Sequence, residues 1–269
     1  MRLRRAVFPL LWLVVATTSA WGAEHPALAK ARALYNAADY DAAISAATVA
    51  RADPAWADAA ALVVARSHLE RYRLQLDPGD LVAARGALTA IRPAALSPRD
   101  HLDLLVGLGQ ALYLGETFGA AAELFDTALS QSSLLGARDR LLLLDWWATA
   151  IDGEAQKITA DRRMPLLERV IARMEDELRQ DPGNAPANYW LAVSARGAGD
   201  IERAWHAAVA GWIRAILRPE SATALRSDLD RLVTEVLIPE RARTRPAREQ
   251  PEAADALRAE WDLVKSQWQ

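Results

Sequence analysis

His25, His68, His101 and His206 are the four histidines of this 269-residue chain, and they are widely scattered. General acid–base catalysis and most metal sites draw on imidazole, so the pool for either is thin. No cysteine occurs. That removes disulfides, thiolate metal ligands, cysteine nucleophiles and a lipidated N-terminal cysteine together. His101 and Asp103 stand two positions apart, a spacing that points two helical side chains to different sides. Asp228 and Asp230 share that limit. There is no His-Glu-x-x-His, Gly-x-Ser-x-Gly, Walker loop or Gly-x-Gly-x-x-Gly. Carboxylate pairs such as Glu175/Asp176 and Glu249/Glu252 read as solvated faces, and glycoside-type chemistry needs two carboxylates opposed across a cleft. The expectation is a chain that is not an enzyme and carries no metal or cofactor.

Ten tryptophans are the remaining chemically distinctive side chains. Trp205 and Trp212 fall in a helical stripe with Ile216, and Trp147, Trp56 and Trp190 read as packing residues. Trp146 differs. It stands about 100° from Trp147 around a helix and so faces a neighbouring helix or an open groove.

The elements that would position these residues are helices. Hydrophobic residues make up 52% of the chain, enough for a substantial core. After Ala23, Ala, Leu, Arg and Glu dominate and strand-type alternation is absent. Asp53-Pro54, Asp77-Pro78-Gly79, Arg92-Pro93, Ser97-Pro98, Asp181-Pro182-Gly183-Asn184 and Arg218-Pro219 mark helix boundaries. With 32 basic and 35 acidic residues the net charge is −3, so no basic field points to nucleic acid.

Residues 1–22 read as an address. Arg2, Arg4 and Arg5 precede the apolar run Val7 to Ala16, and Thr18-Ser19-Ala20 or Ala20-Trp21-Gly22 offers small residues for cleavage. An uncleaved anchor is the competing reading, because residues 6–23 are uncharged. The strongly apolar part is of signal length. Arg4-Arg5 resembles a twin-arginine signal, but Leu3 stands where Ser or Thr usually precedes the pair, which favours Sec. Cleavage leaves 29 basic against 35 acidic residues, a net −6. The expectation is a periplasmic or otherwise exported chain with no stable membrane span.

Within the rest, one pattern of large and small residues recurs three times. Leu105, Leu108, Gly109, Leu112, Phe118, Ala121, Phe125 and Ala128 define it best. Leu191, Ala192, Ala195, Ile201, Ala204, Ala208 and Gly211 repeat its later positions, as do Lys30, Ala31, Leu34, Tyr40, Ala43, Ala47 and Ala50. Gly109 is the small residue required where the second helix crosses close. Two further pairs fit less closely: Ala57 to Arg73 with Leu81 to Ile91, and Arg138 to Asp152 with Met164 to Arg179 across a long loop, Gly153 to Arg163. This resembles the tetratricopeptide repeat, with Asp53-Pro54 and Asp181-Pro182 near the family's usual repeat ending.

The resemblance implies an all-α, right-handed α-solenoid of about five degenerate helix pairs over residues 24–240. Its C-terminal capping helix carries Leu225, Leu229, Leu232, Val233, Val236 and Leu237, with Ser221 as N-cap. An Arg- and Pro-containing linker, 241–251, and a C-terminal amphipathic helix, 252–269, would follow. That last helix, with Leu257, Trp261, Val264 and Trp268, either docks back or binds a partner.

In the family, the first helix of each pair lines a concave peptide-binding face. By the same register that face is Arg32, Tyr35, Asn36, Arg66, Leu69, Asp103, Gln110, Tyr113, Asp145, Thr149, Asp152, Tyr189 and Arg196, with Trp146 beside it. It would be basic at the N-terminal end and acidic near the fourth pair. The implied function is a non-enzymatic scaffold that binds a protein or peptide of unknown identity, with envelope assembly or transport as its setting. The alternative is an envelope enzyme or small-molecule carrier with an inter-helix pocket near Trp146, Asp145 and Asp152. A membrane-surface role for Arg241, Arg243, Arg245 and Arg248 is a third reading.

Overall fold

A computed structural model describes residues 25–268, and they contain helices and turns but no strand. The segment 1–22 lies outside the described residues. The helices are α1 (Pro26–Asn36), α2 (Tyr40–Ala50), α3 (Ala57–Gln75), α4 (Pro78–Thr89), α5 (Pro98–Leu114), α6 (Phe118–Ser130), α7 (Ala137–Lys157), α8 (Ala160–Gln180), α9 (Ala185–Gly197), α10 (Ile201–Arg214), α11 (Pro219–Leu232), α12 (Ile238–Ala242) and α13 (Gln250–Gln267). A π-helical turn, Val233–Leu237, joins α11 to α12, just before Pro239, which has no N–H to donate. Several N-termini are set by sequence in the expected way. Pro78 and Pro98 open α4 and α5, while Asp77, Ser97 and Asn184 accept backbone N–H bonds as caps.

Helices from α1 to α11 pack on their neighbours in chain order, and α1 on α3, α3 on α5, α7 on α9 and α9 on α11 meet as well. Apolar burial is accordingly spread in four clusters along the chain. Leu28, Ala31 and Val63 belong to the first; Leu69, Leu88 and Leu104 to the second. Phe125, Trp147 and Met174 belong to the third; Trp205, Leu229 and Trp261 to the fourth.

The three in-register pairs share one turn. Asp39, Thr117 and Asp200 donate their N–H to the carbonyls of Leu34, Leu112 and Ala195 at 3.0, 2.9 and 3.0 Å. The residues just before them, Ala38, Glu116 and Gly199, have φ of 61°, 59° and 83°. This is a Schellman ending repeated at the same place. Glycine takes the left-handed region freely, whereas a Cβ there costs on the order of 1 kcal/mol. Gly199→Ala should therefore lower stability by about 1 kcal/mol. Ala38→Gly and Glu116→Gly should raise it by several tenths, the gain reduced by the extra entropy glycine gives the unfolded chain. Urea midpoints of the three variants check both signs.

Gly109 is small for the expected reason: a Cβ on it would lie 2.5 Å from Cε1 of the buried Phe125 ring of the second helix, α6.

Other expectations shift. The long loop Gly153 to Arg163 does not exist, because α7 runs to Lys157 and α8 starts at Ala160. Arg163 closes the gap by donating to the carbonyls of Ala155 (2.8 Å) and Ile158 (3.3 Å). Ser221 lies inside the first turn of α11, and its hydroxyl donates to the Arg218 carbonyl. The linker is shorter than 241–251, since α12 ends at Ala242 and α13 starts at Gln250. Arg241 is no solvated linker residue: it makes two bonds to Glu202 (2.7 and 2.6 Å) and stacks over Trp205.

Candidate functional site on the odd-numbered helices

Two adjoining cavities of about 250 Å³ each open between α1, α3, α5 and α7. Tyr35, Arg66, Arg99, Asp103 and Asp139 border both. The compartment toward α1 adds Arg32, Asn36 and Asp100, and the one toward α7 adds Gln110, Val106, Leu142, Leu143 and Trp146. The cleft thus gathers Arg32, Tyr35, Arg66, Gln110 and Trp146 of the expected binding residues, together with Asn36 and Asp103. Leu69 does not join them, being buried in the core between α3 and α4. Tyr113 lies behind Trp146, its ring meeting the indole edge-on at 4.9 Å.

The basic character expected at this end is offset by carboxylates. Arg32 bonds Asp100 at 2.6 Å, and Arg66 reaches Asp103 at 3.1 Å while stacking 4.7 Å over Tyr35. Arg99 holds Asp139 at 2.9 Å and Asp103 at 3.5 Å. Burial raises the Tyr35 phenol pKa against the opposing pull of Arg66. Arg99, Asp100 and Asp139 were missed from sequence. Arg99 was findable, because 99, 103, 106 and 110 fall on one stripe of α5. Asp139 was not, since only the packing of α7 brings it there.

Further along the same face, Asp145, Tyr189 and Asp228 border a third cavity of about 280 Å³ with Ser221 and Leu225. Trp190 donates its indole N–H to Asp145 at 2.7 Å. Desolvation raises the pKa of Asp145, helped by Asp228 and opposed by that bond. Desolvation likewise raises Asp152, against Gln156, Arg196 and Arg163. This end is acidic, as expected. A folded-state carboxyl pKa above its unfolded value means that folding disfavours the charge. Asp145 therefore opposes folding at neutral pH, and the opposition fades as pH falls through the raised pKa toward the unfolded one. A carbon-detected NMR titration should place Asp145 above the usual carboxylate midpoint of about 3.9 and move it back toward that value in Asp228→Asn.

Arg196 is drawn to Glu240 of α12, with Nε 3.0 Å from Oε2. Trp146 and Asp145 border different cavities, and Asp152 borders neither of them. The inter-helix pocket imagined for those three residues is thus split. His68 bonds Asp80 across α3 and α4 at 2.7 Å, and His101 and His206 are exposed. Among the described residues, no group of three His, Cys, Asp or Glu side chains could hold a metal ion, and no helix is long and apolar enough to cross a membrane. No family model, curated protein or solved structure matches the chain.

Proposed function

We propose that this is an exported α-solenoid of about five tetratricopeptide-like helix pairs, right-handed, which binds a protein or peptide segment along the face of its odd-numbered helices and performs no chemistry on it. One observation carries the reading. The three cavities described above follow one another along α1, α3, α5, α7, α9 and α11, apart from Leu135 in the turn before α7; two others, of about 470 Å³ against α8, α9 and α10 and about 260 Å³ against α10, α12 and α13, stand apart from this series. The series marks the face the tetratricopeptide resemblance assigns to ligands, and the repeated turn at Ala38, Glu116 and Gly199 supports the same register. Mixed charges beside Tyr35 and Trp146 suit a partner surface, where aromatic and arginine anchors concentrate. Export is supported by Arg2, Arg4, Arg5 and the apolar run behind them.

The test places a photo-crosslinking residue at Leu142, 53% exposed in the cleft, or at Val82, 68% exposed on α4. Adducts from position 142 and none from position 82 are expected in intact cells, with the protein recovered from the envelope fraction lacking its first residues. Adducts from 82 alone, or from neither, would retire the groove.

A further inference from the structure

Along the odd-numbered face the helices do not pack evenly. α1 packs on α3, α3 on α5, α7 on α9 and α9 on α11, and this series of close neighbours breaks between α5 and α7. Those two helices are joined instead through α6, which packs on both. Toward their C-terminal ends, side chains close the seam. The Tyr113 ring meets the Trp146 indole at 4.9 Å, Phe125 of α6 lies 6.0 Å from that indole, and Lys157 bonds the Glu116 carbonyl at 2.9 Å.

The N-terminal half of the seam is different. It opens into the compartment bordered by Val106, Leu142 and Leu143. Arg99 spans it, donating to the Leu134 carbonyl at 2.7 Å and to Asp139 at 2.9 Å. The side chains of Arg99 and Asp139 are 43% and 49% exposed. An ion pair so open to water shifts an equilibrium by only about twofold to fivefold, so it can yield while the helices on either side stay folded. A seam closed by rings at one end, backed by one helix and held at the other end by a solvated pair has the parts of a hinge.

We propose that the α5–α7 seam is a hinge, with α6 as its spine and Arg99 as the latch that holds the cleft closed. The inference concerns the motion of the cleft and stands whatever the groove binds. Opening widens the compartment toward α7, whose closed volume of about 250 Å³ is below the roughly 300–1,000 Å³ of sites that hold whole small molecules. The chain has no cysteine, so introduced cysteines carry spin labels at chosen positions alone. One label pair, at Lys30 of α1 and Leu142 of α7, spans the seam. A second, at Lys30 and Val82 of α4, stays on one side of it, and all three positions are exposed. Pulsed EPR of Arg99→Met should show a longer Lys30–Leu142 population enriched about twofold to fivefold over the parent. Salt at about 1 M should enrich it in the parent too, because screening weakens the same pair. The Lys30–Val82 distance should stay put in both cases. An unchanged Lys30–Leu142 distribution in Arg99→Met would remove the latch, and lengthening at both label pairs would mean general loosening in place of a hinge.

Discussion

Trp261→Ala is expected to lower stability by about 3–5 kcal/mol, the range for truncating a buried tryptophan. Trp261 is 0% exposed although it sits in the last helix, α13. Its ring meets Trp212 edge-on at 5.2 Å and Trp205 at 6.3 Å, and its N–H donates to Asp230 at 2.7 Å. Lys265 bonds the same carboxylate at 3.0 Å and lies over the Trp261 ring. Asp230 therefore stays ionised to a lower pH than an ordinary aspartate: the Trp261 and Lys265 bonds outweigh its desolvation. The variant opens a cavity under two other tryptophans and takes from that carboxylate one of its two bonds, leaving Lys265 as its partner. Trp268→Ala, seven residues on and 48% exposed, should change stability by less than about 0.5 kcal/mol. Guanidinium unfolding of both variants decides the matter. Similar small losses would mean that α13 is only loosely attached and is free to serve a partner. A large loss confined to Trp261 would make it the lid on the fourth apolar cluster.

That docking was half legible in the sequence. The spacing of Leu257, Trp261, Val264 and Trp268 gives a helix with one apolar stripe, but a stripe does not say what covers it. The same division runs through the molecule. Periodicity and punctuation placed most helices within a few residues, because they depend on local contacts and turn chemistry. The register among the three best pairs was legible as well: the residues it aligns, Ala38, Glu116 and Gly199, all adopt a left-handed turn. What a single sequence hides is partnership over distance. Arg32 meets Asp100 across 68 residues, and Arg99 meets Asp139 across 40. A groove drawn from register alone therefore looked basic where the folded chain is close to neutral. It also placed Leu69 on a face that the packing of α4 covers.

Distant partnership also sets the second large effect. Glu177 of α8 is only 5% exposed, and Arg140 of α7 grips it with two bonds of 2.5 and 2.6 Å. Arg173 lies one turn back on α8, 4.0 Å from the same carboxylate; it is bonded to Asp126 of α6 and stacked over Trp147. The ion pairs thus tie three consecutive helices around a buried tryptophan. Arg140→Met removes the near partner and leaves a carboxylate in a place where water does not reach it well. Stranding one member of a buried pair costs about 3–5 kcal/mol. The lower end is expected here, because Arg173 can swing closer and Arg140 itself is 28% exposed. Glu177→Met should cost less, since Arg140 can turn to solvent. Replacing both by methionine removes charge and partner together and should bring stability back to within about 1 kcal/mol of the parent. The double-mutant cycle reads the coupling directly in urea midpoints. Two small and additive losses would show that the pair behaves as a surface contact, and the burial of Glu177 would then have to be relieved by motion of α8 against α7.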